Sequence, residues 1–161
     1  MRPQTDIEQA LTLHGDAVWR ACALHVRVTA DAQDIYQDTF LRYALADDQS
    51  FTDEEHRKAW LLRVALNKCK DFNKAAARKC DPLDDLAAIK PTQDLLVKPG
   101  SVAFEVIDAF SRMTDPPKTP AYLALCEGYT APEISQIVDA PVNTVYSWIS
   151  RGRALLKEAL S

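Results

Sequence analysis

Residues Thr130 to Leu156 read TAPEISQIVDAPVNTVYSWISRGRALL. Thr130-Ala131-Pro132-Glu133 has the spacing of a capping box, in which the Thr hydroxyl accepts from the Glu amide and the Glu side chain reaches back. Pro132 fits there because first-turn amides have no helical partner. Ile134, Ile137 and Val138 form an apolar stripe, and Asp139-Ala140-Pro141 makes a turn. At 100° per residue, Val142, Val145, Ile149, Gly152 and Leu156 then share one face of a second helix. Asn143, Ser147, Ser150 and Ala154 point the other way, flanked by Thr144, Tyr146, Arg151 and Lys157. Two short helices about a tight turn, the second with a polar outer face, predict a helix-turn-helix that lays one helix in the major groove of DNA. Hydroxyls, amides and arginines there suit phosphate and base-edge contacts. An ordinary surface helix pair remains the competing reading, and Gly152 is expected to be a close-packing site.

Working outward, the chain reads as all-helical, with two small domains joined by a linker. Helices are expected near 5–27, 32–46 and 55–79, and again near 102–113, 118–127, 131–138 and 142–160. Between them, DPLDDLAAIKPTQDLLVKPGS (81–101) carries Pro82, Pro91, Pro99 and Gly100, is net acidic and holds little period, the pattern of a linker. The expected domains are therefore 1–80 and 102–161, small enough for each core to be marginal alone.

Composition narrows the function. Hydrophobic residues make up 47% of the 161, enough for a packed core and too many for global disorder. The formal net charge of −4 argues against a general nucleic-acid coat. The charge is uneven, however. Residues 31–55 hold eight acidic side chains and one basic, whereas 56–80 hold eight basic and one acidic, which implies two different faces or partners. Cys22, Cys69, Cys80 and Cys126 form no C-x-x-C pair and read as reduced, mostly buried thiols. The N-terminus has no apolar signal core, and no run approaches the roughly 18 apolar residues of a membrane helix. A cytoplasmic protein without membrane insertion is expected. There is no Gly-rich phosphate loop or metal spacing, and His14, His25 and His56 have no evident nucleophile partner, so neither an enzyme nor a cofactor is expected.

Two faces in the N-terminal half bear on function. Asp34, Asp38, Leu41 and Leu45 lie at i, i+4, i+7 and i+11 of DAQDIYQDTFLRYAL, opposite the core set Tyr36, Phe40, Tyr43 and Ala44. Carboxylates mixed with leucines suit a protein contact, where apolar area binds and charge steers; a solvated acidic face is the alternative. In HRKAWLLRVALNKCKDFNKAAARK, Leu61, Val64, Ala65 and Phe72 are apolar, and Arg63, Asn67, Lys70 and Lys74 make a stripe edged by Trp60. Cations beside an aromatic are what a single-strand binder uses, though a charged stripe is also how a plain solvated helix looks.

Four segments carry a resemblance. D-A-x-D-hydrophobic-x-Q-[DE]-T-F-L is met by Asp31 to Leu41. A-W-L-x-R-[IV]-A-x-N-x-x-x-D is met by Ala59-Trp60-Leu61, Arg63-Val64-Ala65, Asn67 and Asp71. E-G-Y-[ST]-x-x-E-I is met by Glu127 to Thr130 with Glu133-Ile134, and the last helix supplies Thr144-Val145, Ser147, Ile149-Ser150-Arg151, Arg153 and Leu156. In this order they resemble the compact bacterial sigma factors of the extracytoplasmic-function class. The resemblance implies a non-catalytic subunit of RNA polymerase holoenzyme, with core RNA polymerase and promoter DNA as partners; whether an anti-sigma factor also binds stays open. Asp34, Gln37, Asp38, Leu41 and Leu45 would dock on the clamp helices of the largest polymerase subunit. Phe51, Trp60, Arg63, Asn67, Lys70 and Lys74 would hold the opened minus-ten element, with one base flipped into a loop pocket. Asn143, Thr144, Tyr146, Ser147, Ser150 and Arg151 would read the minus-thirty-five element. Two positions depart from the pattern: Tyr146 and Trp148 stand where the family often has cations, which removes phosphate anchors. The stretch FTDEEH before Trp60 is also acidic for a DNA contact. A free-standing helix-turn-helix regulator, which would need dimer symmetry, and an interaction module that has lost DNA reading are the alternatives.

Overall fold

The computed structural model describes residues 1–79 and 101–160. Seven α-helices lie among them, with no strand: α1 (Gln4–His25), α2 (Thr29–Leu45), α3 (Glu54–Lys79), α4 (Val102–Arg112), α5 (Lys118–Leu125), α6 (Ala131–Val138) and α7 (Val142–Leu160). The chain divides into two compact units, Met1–Leu95 and Leu96–Ser161. The stretch expected to be a linker falls almost wholly outside the described residues.

The first unit is a three-helix bundle. Helical spacing puts Ala10, Val18 and Cys22 of α1 on one face, against Ile35, Phe40 and Tyr43 of α2 and Leu61, Ala65 and Cys69 of α3. α1 approaches α2 closely where it carries Gly15, since a Cβ there would stand 3.0 Å from the Tyr36 hydroxyl. Buried Thr39 satisfies its hydroxyl by donating to the Ile35 carbonyl at 2.8 Å. Cys22 and Cys69 are buried free thiols, as expected, whereas Cys126 is exposed and Cys80 lies outside the described residues. A hydrogen bond with Cys69, reinforced by burial, pushes the Cys22 thiol far above its ordinary range, so it stays protonated and unreactive.

The second unit packs α7 on α5 and α6. Phe110, Tyr122, Leu123, Ile134 and Val145 are its largest buried side chains. The capping box of α6 is complete: Thr130 Oγ1 accepts from the Glu133 amide, and Glu133 Oε1 accepts from the Thr130 amide at 2.9 Å. Asp139 ends the helix in the left-handed conformation, with φ of 56°. The Ala140 amide then donates to the Ser135 carbonyl and Ser135 Oγ donates back to the Ala140 carbonyl, so the turn between α6 and α7 is bonded on both sides. α5 ends at Leu125, two residues before the expected end, and Gly128 turns the chain with φ of 77°.

Candidate nucleic-acid interface

α2 turns Asp34, Gln37, Asp38, Leu41 and Leu45 to solvent on one face, with Leu41 56% and Leu45 61% exposed. Burying a leucine is worth about 1.5–3 kcal/mol, so two left on one face forgo a gain that a partner surface can recover.

Along α3, Arg63, Asn67, Lys70 and Lys74 are exposed, as the stripe requires. Arg57 departs from the charge-block reading. It is buried, and its guanidinium is held by Glu54, by Asp6 Oδ1 at 3.1 Å and by the Tyr43 hydroxyl at 3.2 Å. Its charge is therefore spent inside the bundle. The acidic stretch before Trp60 is partly consumed as well. Asp53 Oδ1 accepts from the His56 amide at 2.8 Å, capping α3, and Glu54 Oε2 lies 2.7 Å from His14 Nε2.

Trp60 and Phe51 are half-buried against the core cluster and are not free platforms on the stripe. Their rings lie 5.8 Å apart, and the Tyr43 ring stands 6.1 Å from Phe51 and 6.0 Å from Trp60. Beside them a concavity of about 550 Å³ opens between the start of α1, the end of α2 and the start of α3. Phe51, Tyr43, Arg2, Asp6 and Arg57 line it, and Asp47, Asp53 and Glu54 add carboxylates. The Tyr43 hydroxyl donates to Asp6 Oδ1 at 2.5 Å. That bond and the Arg2 and Arg57 charges hold the Asp6 carboxyl below its ordinary value against the opposing effect of burial. At Glu54, burial is likewise outweighed by hydrogen bonds from Arg57 and His14, and the carboxyl is lowered.

Of the site residues the sequence reading named, Phe51 lines this concavity and Trp60 packs behind it; Arg2, Asp6, Glu54 and Arg57, which also line it, were not among them. Their contacts join positions 14 to 51 residues apart, apart from the local Arg2–Asp6 and Glu54–Arg57 pairs. Only those two local pairs, at i,i+4 and i,i+3, left a signal in the sequence.

On α7, Asn143, Tyr146, Ser147, Ser150 and Arg151 are exposed, while Thr144 is half-buried at the edge. Tyr146 is 58% exposed. Val145, Gly152 and Leu156 face the core.

The description Sigma-70 region 2 matches residues 11–79, which span most of the three-helix bundle. The chain is 28% identical over 142 residues to the ECF RNA polymerase sigma-E factor of Haemophilus influenzae, covering 81% of this chain and 75% of that protein. It is 26% identical over 163 residues to the ECF RNA polymerase sigma factor SigW of Bacillus subtilis, covering 92% and 85%. Among solved structures, CnrH, determined with the cytosolic domain of CnrY, is similar with a TM-score of 0.69 at 25% identity over 98% of this chain and 89% of that one. The sigma factor RpoE of Bartonella quintana, determined with the anti-sigma factor NepR, has a TM-score of 0.76 at 20% identity over 96% of both chains, a likeness of fold. The three-helix bundle matches sigma-70 region 2, and bundle and helix-turn-helix unit together resemble a sigma factor of the sigma-70 type. Within that type, the chain is similar over most of its length to RNA polymerase sigma factors of the extracytoplasmic-function class.

Proposed function

We propose that this chain is a promoter-specificity subunit that joins core RNA polymerase, directs it to a start site and helps to open the DNA there. The observation that carries the reading is the match of the first bundle to sigma-70 region 2 in a chain whose second unit ends in a helix-turn-helix. The α2 face of Asp34, Gln37, Asp38, Leu41 and Leu45 is the polymerase contact. The α3 stripe tracks the opened minus-ten strand, and the concavity beside Phe51 takes a flipped base. Its carboxylates accept from base-edge amines while repelling phosphate, so a base enters and a backbone does not. The outer face of α7 reads the minus-thirty-five element largely through neutral groups.

As a sigma factor the chain is a regulatory subunit, and it works in the cytoplasm, where polymerase is. Among the described residues no helix is long and apolar enough to cross a membrane. An anti-sigma partner is part of the proposal, supported by the fold relative that was determined with the anti-sigma factor NepR. The free-standing regulator is not favoured, because the relatives that match over most of the chain are sigma factors.

The test is run-off transcription from a genomic fragment library with purified core enzyme. Discrete transcripts are expected only when both proteins are present. Reversing charge with Asp34→Lys and Asp38→Lys together should weaken polymerase binding about tenfold or more in a competition assay. Unchanged affinity would remove the α2 face from the proposal.

A further inference from the structure

We infer that Arg2 is a positioning residue for the loop of residues 46–53, holding it in the shape that receives an unpaired base. The inference rests on the reading of the chain as a promoter-opening subunit, and it concerns a residue outside both the matched region 2 span and the motifs of the family resemblance.

Arg2 precedes α1, yet its guanidinium reaches across the end of α2. Nε donates to the Tyr43 carbonyl at 2.9 Å, and one terminal nitrogen donates to both the Ala46 carbonyl at 2.7 Å and the Gln49 carbonyl at 2.5 Å. The other terminal nitrogen donates to Asp6 Oδ2 at 3.2 Å. The Arg2 amide adds a bond to the Ala44 carbonyl at 2.8 Å. A guanidinium has five N–H donors, and four of them are thus directed into the protein. The plane also lies over the Tyr43 ring, 4.4 Å from its centroid, and 5.4 Å from that of Phe51. With its side chain only 10% exposed, Arg2 has little left to offer a phosphate.

Apart from the Arg2 contacts, the loop is held by the Met1 ammonium on Asp47 at 2.6 Å, by Asp53 accepting from the His56 and Arg57 amides, by the Phe51 ring against Tyr43 and Trp60, and by three backbone amides. The Ala46 amide bonds back to α2, the Gln49 amide donates to the Ala46 carbonyl, and the Thr52 amide donates to His56 Nδ1 at 3.2 Å. Arg2 supplies the shared donor that ties the carbonyls at 43, 46 and 49 to one plane, and that plane sets Phe51 at the rim of the concavity. Lysine cannot replace it, because one ammonium presents no planar fork and does not stack. Capturing a flipped base costs unstacking energy, which a loop already in shape offsets better than one that must order on binding.

Hydrogen–deuterium exchange on the full chain tests the positioning directly and needs no promoter. In Arg2→Ala, amides of residues 46–53 should exchange about tenfold faster or more, with the core amides of α1 and α3 unchanged; Arg2→Lys should fall between. On templates selected by the wild-type holoenzyme, Arg2→Ala should bind polymerase as wild type does. It should also form open complexes about tenfold less readily and lose discrimination among bases substituted across the minus-ten element. Unchanged loop exchange overturns the inference. So does faster exchange with open-complex yield and base preference intact. A wild-type chain that selects no template defeats the proposed function instead, whatever the exchange result.

Discussion

At the scale of single residues, Gly152 shows how little room the second unit has. A Cβ there would stand 2.5 Å from the Ala121 Cβ and 3.4 Å from the Pro117 carbonyl. Ala is the better helix former by about 1 kcal/mol, but overpacking costs about 1–3 kcal/mol. Gly152→Ala is therefore expected to lower stability by up to about 2 kcal/mol in urea titrations, and a gain would show that α5 yields. Helical periodicity alone placed Gly152 on the buried face, so its role was legible. Arg57 was not. In the sequence it is one more cation in a basic block, and only the carboxylate of Asp6, 51 residues away, shows that it is an interior charge.

Single helices depend most on their ends. α6 has only eight residues, too few to persist by propensity alone. Its start is secured by the reciprocal Thr130–Glu133 bonds, and these lower the Glu133 carboxyl, the Thr130 amide first and its hydroxyl second. Thr130→Ala should cost about 1 kcal/mol in thermal or urea unfolding and weaken duplex contact by α7, which leans on α6. Thr130→Ser, which keeps the oxygen, should restore both. The capping box could be read at sight because its partners are three residues apart. The two-sided turn at Asp139 could be read only as a turn, since nothing in Asp-Ala-Pro specifies that Ser135 closes it.

For the whole molecule, four carboxyls among the described residues are lowered and set the response to acid: Asp6, Asp47 and Glu54 in the first unit and Glu133 in the second. A folded value below the unfolded one means that their stabilisation is complete above the ordinary carboxylate values, 3.8 for Asp and 4.5 for Glu, and is lost as pH falls through the lower folded values. The melting temperature should thus hold near neutrality and drop steeply from about pH 5 downward. Asp6→Asn should melt lower than wild type at pH 7 and show a shallower acid limb by calorimetry. Equal slopes would mean that Asp6 is not coupled to folding.

The division between sequence and structure follows the range of the interactions. Helix positions, the exposed acidic and leucine-bearing side of α2, the α3 stripe and the helix-turn-helix all rest on contacts within four residues or on a 3.6-residue period, and those are written along the chain. The concavity beside Phe51 rests on charged side chains of α1 and α3 and on backbone carbonyls at the end of α2, brought together across some 40 to 50 positions by the packing of the first three helices. No local pattern encodes a side chain that bonds to distant main chain. The fold alone decided that Arg2 holds the loop, that Arg57 is buried, and that Phe51 faces the concavity while Trp60 braces it from behind.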